Sequence, residues 1–166
     1  MTWLRAIGVI LALALGAGCA TTHPDPRDPL EGLNRGVYRF NEGFDELVTR
    51  PVASAYRDLV PGGIRDRVRN FFSNLNDPLI GVNNMLQGKV EDGILDWARF
   101  GFNTTLGLFG IHDVASDMGL EKHNEDFGQT LGYWGINTGP YLVLPFFGPS
   151  SIRDGVGRLV DSQTDL

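Results

Sequence analysis

The sequence predicts an all-α fold with one apolar, Gly/Pro-rich broken stretch towards its C-terminal end. Three observations lead there. Apolar side chains recur at helical spacings of three and four from Leu33 onward. Residues 127–152 contain no Asp, Glu, Lys or Arg, although the chain is 20% charged. The 22 glycines and 9 prolines punctuate the helical patterns, and that many glycines in a helical protein implies close helix contacts or many caps. At 166 residues the chain is long enough for one domain with a real core.

From the start, residues 1–18 read as a secretory leader, with Arg5 as the charged region, an apolar run over 6–15 and small residues after it. The apolar run is too short for a transmembrane helix. Ala17-Gly18-Cys19 matches the end of a bacterial lipoprotein cleavage box, although Gly16 stands where an aliphatic residue is usual. Cys19 is therefore the expected mature N-terminus, carrying a diacylglycerol thioether and an amide-linked chain such as palmitate. Two or more acyl chains hold a protein stably to a membrane. Ala20, in place of an inner-membrane retention Asp, points to the outer membrane. The alternative is an ordinary leader that leaves a free thiol. Residues 19–29 read as a short stiff Pro-rich tether and 30–166 as the folded helical domain.

The first helix is expected at Asp28-Pro29-Leu30-Glu31, with Asp as cap, Pro at the first helical position and Glu closing a capping box. Leu33, Val37, Phe40, Phe44 and Leu47 form its apolar stripe. Arg50-Pro51 predicts a break or kink and 60–63 a turn. A second helix carries Ile64, Val68, Phe71 or Phe72, and Leu75. Its Arg65, Arg67 and Arg69 are either a solvated face or a contact for an acidic partner or phosphate. Asn76-Asp77-Pro78 predicts a fresh start, and a short helix follows, stopping at Gly88. Val90, Ile94, Trp97 and Gly101 mark a helix of about four turns. One or two helical turns are expected over 111–118, a charged loop over 121–126, helix over 127–134, extended chain over 138–147, and a last helix capped by Ser150-Ser151.

The stretch 127–152 is long enough to cross a bilayer. Its recurrent glycines, with Pro140, Pro145 and Pro149, exclude a plain helix. It is either a loop and strand in a soluble core or a broken segment at membrane depth. The latter is tolerated only where protein buries it or a wet cavity receives its polar groups.

The net charge of −6 argues against nucleic acid and against electrostatic docking of the whole chain on anionic lipid. No HExxH, GxSxG, CxxC or Walker pattern occurs. His112 with Asp113, and His123 with Asp126, could be drawn as metal or acid–base pairs, but a His beside an Asp in a loop more often caps or hydrogen-bonds. No metal, no cofactor and no catalysis are expected.

Four blocks carry a family resemblance: DPLEGLNRGVYRFNEGFD at 28–45, RPVASAYRDLVPGGIRDRVRNFFSNLNDPLIGVNNMLQG at 50–88, ARFGFNTTLG at 98–107, and EDFGQTLGYWGINTGPYLVLPFFGPSSIRD at 125–154. With the lipobox-like start, they resemble the MlaA (VacJ) lipoproteins. The resemblance implies a compact ring of amphipathic helices embedded in the inner leaflet of a Gram-negative outer membrane. Such a protein associates with a trimeric outer-membrane porin, removes phospholipid misplaced in the outer leaflet and passes it to the periplasmic carrier MlaC. An inner-membrane ABC complex completes a pathway that maintains lipid asymmetry. The resemblance places Phe40 and Asn41 near the ring and its membrane side. It puts Gly139, Pro140, Tyr141, Leu142, Val143, Leu144, Pro145, Phe146 and Phe147 beside the lipid channel or membrane face. Family members usually continue for some tens of residues beyond the GPSSxRD block, so the domain over 30–166 is expected to be C-terminally incomplete. The alternatives are a porin-associated structural lipoprotein without transport activity, an envelope hydrolase and a soluble periplasmic protein.

Overall fold

The computed structural model describes residues 28–164. The expected leader, Cys19 and all but the last two residues of the tether lie outside the described residues. The described chain is mostly helical and forms two compact units, one comprising 28–52 and 138–155, the other 53–137 and 156–164.

In the first unit, helix α1 spans Glu31–Phe44. The expected capping box does not form. Leu30 is the cap residue and makes no side-chain cap bond. The Asp28 carboxylate instead accepts from the Leu30 N–H at 3.2 Å and from Asn34 Nδ2 at 2.9 Å, while Glu31 pairs with Arg35 at 2.7 Å. Asp28 lies too far ahead of the first turn to serve its amides, so it anchors a side chain one turn in. The interruption expected at Arg50-Pro51 is a π turn, Asp45–Thr49, closed by a bond from the Arg50 N–H to the Asp45 carbonyl. This wider turn precedes the donor missing at Pro51, and helix α2 follows over Arg50–Leu59.

The unit's other part departs from an all-α fold. Strand β1, Tyr141–Leu144, pairs antiparallel with β2, Gly148–Ser151, in the register Tyr141↔Ser151 to Leu144↔Gly148. The sequence reading expected extended chain here but not its partner, because Gly-Pro-Ser-Ser has little strand propensity. Pro149 fits because each strand of a two-stranded ribbon has an open edge. Ser151, rather than Ser150, caps the last helix, α7 (Ile152–Thr164), accepting from the Asp154 N–H at 3.1 Å.

In the second unit, helix α3 runs unbroken from Gly62 to Leu86, with Pro78 inside it. The restart expected at Asn76-Asp77-Pro78 is therefore corrected. Asn74, whose carbonyl is left without the Pro78 donor, and Asp77, next to the proline, are buried and tied by side-chain interactions to partners outside α3. Tertiary contacts override the local proline penalty here. Helix α4, Val90–Thr105, packs antiparallel on α3. A Cβ on Gly93 would stand 2.8 Å from the Gly81 carbonyl, and one on Gly81 would stand 3.0 Å from the Gly93 carbonyl, so the helices meet backbone to backbone. Short helices α5 (Val114–Asp117) and α6 (Phe127–Tyr133) follow, each capped by an aspartate, Asp113 and Asp126.

The burial pattern is inverted. Among the described residues only Ile80, Ala115 and Val143 are fully buried hydrophobics. The buried set is otherwise polar, including Asn74, Asp77, Asn83, Asn84, Asp96, Arg99 and Asn103. On α4 the buried positions are Gly93, Asp96, Arg99 and Asn103, while Val90 and Ile94 face outward and Trp97, half-exposed, lays one edge of its ring over Gly81 of α3. The helical periods read from sequence are present, but the apolar stripe is the outer one. No described helix is long and apolar enough to cross a membrane.

Candidate functional site

The seam between α1 and β1 gathers most of the residues singled out from the sequence. A strand edge presents the C=O of residue i and the N–H of residue i+2 on the same side. A primary amide carries an acceptor and a donor to match. Asn34 uses both: its Nδ2 donates to the Tyr141 carbonyl at 3.1 Å and its Oδ1 accepts from the Val143 N–H at 2.8 Å. Asn41 repeats the pattern, donating to the Leu144 carbonyl at 2.9 Å and accepting from the Phe146 N–H at 2.8 Å. Seven helical residues rise about 10.5 Å. Three strand residues rise about 10 Å. The two asparagines, two turns apart, therefore reach points three residues apart on the hairpin, and because an odd offset changes edge in a regular strand, Asn34 clamps the edge of β1 while Asn41 grips the chain where it leaves β1 for the tip.

At the hairpin tip, Phe146 has a left-handed backbone, φ 66°. Such a conformation costs a non-glycine residue roughly 1–2 kcal/mol. Its N–H is held by Asn41, and its ring packs edge-on against Phe40 at 5.2 Å and Phe44 at 5.1 Å. Pro145 and Phe147 are exposed beside it. Side chains alternate along β1, so Tyr141 and Val143 share one face and Leu142 and Leu144 the other. Tyr141 and Val143, with Tyr38, Arg39 and Glu42 of α1, line an open groove of ≈ 550 Å³. Gly139 and Pro140 lie at the foot of the hairpin, where the Pro140 carbonyl accepts from the Ile152 N–H at 3.3 Å. The structure thus brings Phe40, Asn41, Tyr141, Val143, Leu144 and Phe146 into one arrangement and leaves Gly139 and Pro140 at its base. Asn34 is not among the sequence expectations, and Phe44 is expected only in the apolar stripe of α1. The seven-residue spacing of Asn34 and Asn41 on one helix was the signal that could have found the first.

The second unit holds the charged residues suspected of chemistry, in other pairings. Arg99, with 1% of its side chain exposed, binds Asp113 at 2.9 Å, donates to Ser116 Oγ at 3.2 Å and to the Leu120 carbonyl, and lies 3.9 Å from Asp77. Lys122 pairs with Asp77. Asn103 donates to Asp113 at 2.9 Å. Asp113 therefore serves Arg99 and its own helix cap rather than His112, which is exposed. His123 faces Asp96 at 3.0 Å and Asp92 at 3.6 Å, whereas Asp126 caps α6 by accepting from the Gln129 N–H at 2.7 Å. Asn84 donates to Asp96 at 2.8 Å, and Gln87 bridges Glu125 and Thr130 at 3.0 and 3.1 Å. Burial pushes the Asp77 carboxyl above its ordinary pKa despite Lys122 and Arg99. Burial also opposes ionisation of Asp113, but hydrogen bonds from Ser116 and Asn103 and the Arg99 charge outweigh it and lower its pKa. Burial of Glu125 is likewise outweighed by Lys89 and Gln87. No group of three metal-ligating side chains occurs among the described residues. The network joins α3, α4 and the loops after them, and the sequence reading missed it.

Residues 26–166 match the family model described as MlaA lipoprotein. Two similar proteins, from Shigella flexneri and Escherichia coli K12, are each named "Intermembrane phospholipid transport system lipoprotein MlaA". They are 40% and 41% identical over 96% and 95% of this chain, and in each case 66% of the relative. A Haemophilus influenzae protein of the same name is 32% identical over 93% of this chain and 64% of its own length. The chain thus spans just under two thirds of these three relatives. A solved structure described as "Structural basis for maintenance of bacterial outer membrane lipid asymmetry" superposes with a TM-score of 0.74 at 41% identity, covering 82% of this chain and 70% of that one.

Proposed function

Because the chain belongs to the MlaA lipoprotein family, we propose that it acts in phospholipid transport at the outer membrane. In this role it removes phospholipid misplaced in the outer leaflet and passes it to the periplasmic carrier MlaC, working beside a trimeric porin and anchored through Cys19 on the periplasmic side. The names of the relatives and the description of the similar structure support a place in phospholipid transport and outer-membrane lipid asymmetry. No covalent bond is made or broken in that task, so the chain works by binding and release.

The observation that carries the reading is the inversion of polarity. Large apolar side chains lie outward on every long helix, with Leu47 and Leu59 about 80% exposed (81% and 80%), while charged and amide side chains fill the interior. In water such a surface invites aggregation. In a lipid leaflet it is the favourable arrangement, with internal polar groups paired largely with one another. Helices too short or too polar to span the bilayer then lie within one leaflet.

The α1–hairpin seam supplies a place for a lipid to pass. Its Phe40, Phe44 and Phe146 side is apolar and suits acyl chains. The groove beside Tyr141 offers Arg39 and Glu42, neither in an ion pair among the described residues, to a headgroup carrying phosphate and amine.

The deciding experiment measures phospholipid in the outer leaflet of a strain lacking this gene, then with the 166-residue chain restored. A rise on deletion and a return on restoration are expected. A rise that the chain fails to reverse assigns the role to the family but denies it to this chain alone. No rise, in a strain without a second copy, rejects transport and leaves a structural, porin-associated lipoprotein.

A further inference from the structure

We propose that residues 62–75 of α3 and the turn at 106–111 form a second lipid-contacting face, on which Arg65 and Arg67 hold phospholipid phosphates while Leu108 and Phe109 insert below them. The inference rests on the membrane seating proposed above and adds a site to it.

At 100° per residue, Ile64, Val68 and Phe72 fall within an arc of about 80° on α3. All three are exposed. Arg65 and Arg67 lie on opposite flanks of that stripe. Among the described residues neither makes an ion pair, whereas Arg69, farther round, is neutralised by Asp66 at 3.0 Å. An apolar stripe bordered on both sides by free guanidinium groups is the pattern of a helix lying in a lipid interface. The arginine stems run along the acyl boundary there and the heads reach the phosphates. The whole chain carries −6, so this cationic rim is a local feature rather than a by-product of composition.

The turn is a separate observation. Leu108, Phe109 and Gly110 are consecutive left-handed residues, with φ 54°, 60° and 83°. Glycine adopts that conformation freely, but leucine and phenylalanine do not. The strained turn is locked by bonds from the Phe109 N–H to the Thr104 carbonyl at 2.9 Å and from the Gly110 N–H to the Asn103 carbonyl at 2.8 Å. Its outcome is to present Phe109 outward, 72% exposed, with Leu106 and Leu108 beside it. Strain that serves to expose a phenylalanine has no folding rationale in water and points to an occupant. The turn is fixed to the arginine-bearing part of α3, since Asn70 Nδ2 donates to the Ile111 carbonyl at 3.4 Å and Asn74 Nδ2 to Thr104 Oγ1 at 3.0 Å. Guanidinium groups beside apolar fingers match a phospholipid leaflet better than the side of another protein, because the two kinds of group need neighbouring phosphate and hydrocarbon.

The test uses the full chain and vesicles of phosphatidylethanolamine and phosphatidylglycerol brominated on their acyl chains. Phe109→Trp is expected to show bromine quenching well beyond that of the parent chain. Arg65→Gln with Arg67→Gln is expected to weaken vesicle binding about tenfold or more and to flatten its dependence on salt. Circular dichroism checks that each variant keeps the parental helix content, and Phe72→Trp provides an independent reporter on the same face. If the parent binds vesicles but both introduced tryptophans stay unquenched, this face is overturned while the membrane seating stands. If they respond only when outer-membrane proteins are added, the occupant is a protein and the proposal again fails. If the parent does not bind vesicles at all, the seating falls and this inference falls with it.

Discussion

Asn41 shows how one side chain can hold a functional segment. Its amide closes two main-chain bonds of the hairpin, to Leu144 and Phe146. Asn41→Ala leaves both groups to find other partners, at a cost of about 1–3 kcal/mol. The expected result is faster hydrogen exchange at the Phe146 amide, with little change at the Val143 amide, which Asn34 holds independently. Equal loss at both would mean that the two clamps act as one. Arg99 is the corresponding residue of the second unit. Replacing it with Leu strands Asp113 and Asp77 beside an apolar side chain, and breaking a buried pair in this way costs about 3–5 kcal/mol. A large fall in the melting temperature in detergent is expected, and an unchanged one would show that the network is dispensable. The same cluster sets an acid limit. Asp113 and Glu125 have lowered pKa values when folded, so the stability they add is present above their unfolded pKa and is lost as pH falls through the folded one. Asp77, raised by burial, contributes with the opposite sign: its share is present at low pH and lost as pH rises through its folded pKa. Melting temperatures are therefore expected to drop below about pH 4, and Asp113→Asn to make that drop shallower. None of these pairings was legible in the sequence, because their partners lie ten to more than a hundred residues apart and only the fold joins them.

At the scale of elements, the sequence showed the helical periods and most ends, but not the direction of the stripes. A period of 3.6 says that one face differs from the other; it does not say which face meets the protein. Val90, Ile94 and Trp97 mark a true stripe on α4, and it is the outer one. The unbroken run of α3 through Pro78 and the second strand at Gly148–Ser151 were illegible for a related reason. Long-range polar contacts fix the first, and pairing with β1 fixes the second, against local propensity. Asn41 and the 141–146 segment came from family resemblance rather than from spacing, and the structure gives them a shared geometry. The close approach of α3 and α4 makes a sharp prediction from two glycines of one helix. Gly101→Ala places its methyl in open space and gains helix propensity, so it should stabilise by up to about 1 kcal/mol. Gly93→Ala gains the same propensity but drives its methyl against the Gly81 carbonyl and Met85, and overpacking costs about 1–3 kcal/mol. Thermal melts of the two variants in detergent should move in opposite directions. Movement the same way would remove the helix contact as a determinant of stability.

At the scale of the whole molecule, the proposed function gives this chain two independent holds on lipid: acyl chains on Cys19 and the outward apolar surface. They can be separated. A chain exported with a non-lipid leader and starting at Ala20 lacks the first and keeps the second. One acyl chain anchors only marginally, at ~0.8 kcal/mol per buried CH₂. Exposed apolar surface contributes about 25 cal/mol per Å² when it leaves water. Several half-exposed Phe, Leu and Trp side chains therefore add up to a hold on lipid that is weaker than the full anchor but does not depend on it. The anchorless chain is expected to remain in the membrane fraction through high-salt and carbonate washes and to leave with mild detergent. Salt fails because the attraction is apolar, and carbonate fails because the side chains are within the leaflet rather than on it. Release by carbonate would place the protein on the membrane surface, held by the Cys19 lipid alone. In that case the exposed apolar faces would have to be covered by protein, and the buried polar network would be an ordinary, if unusually charged, interior.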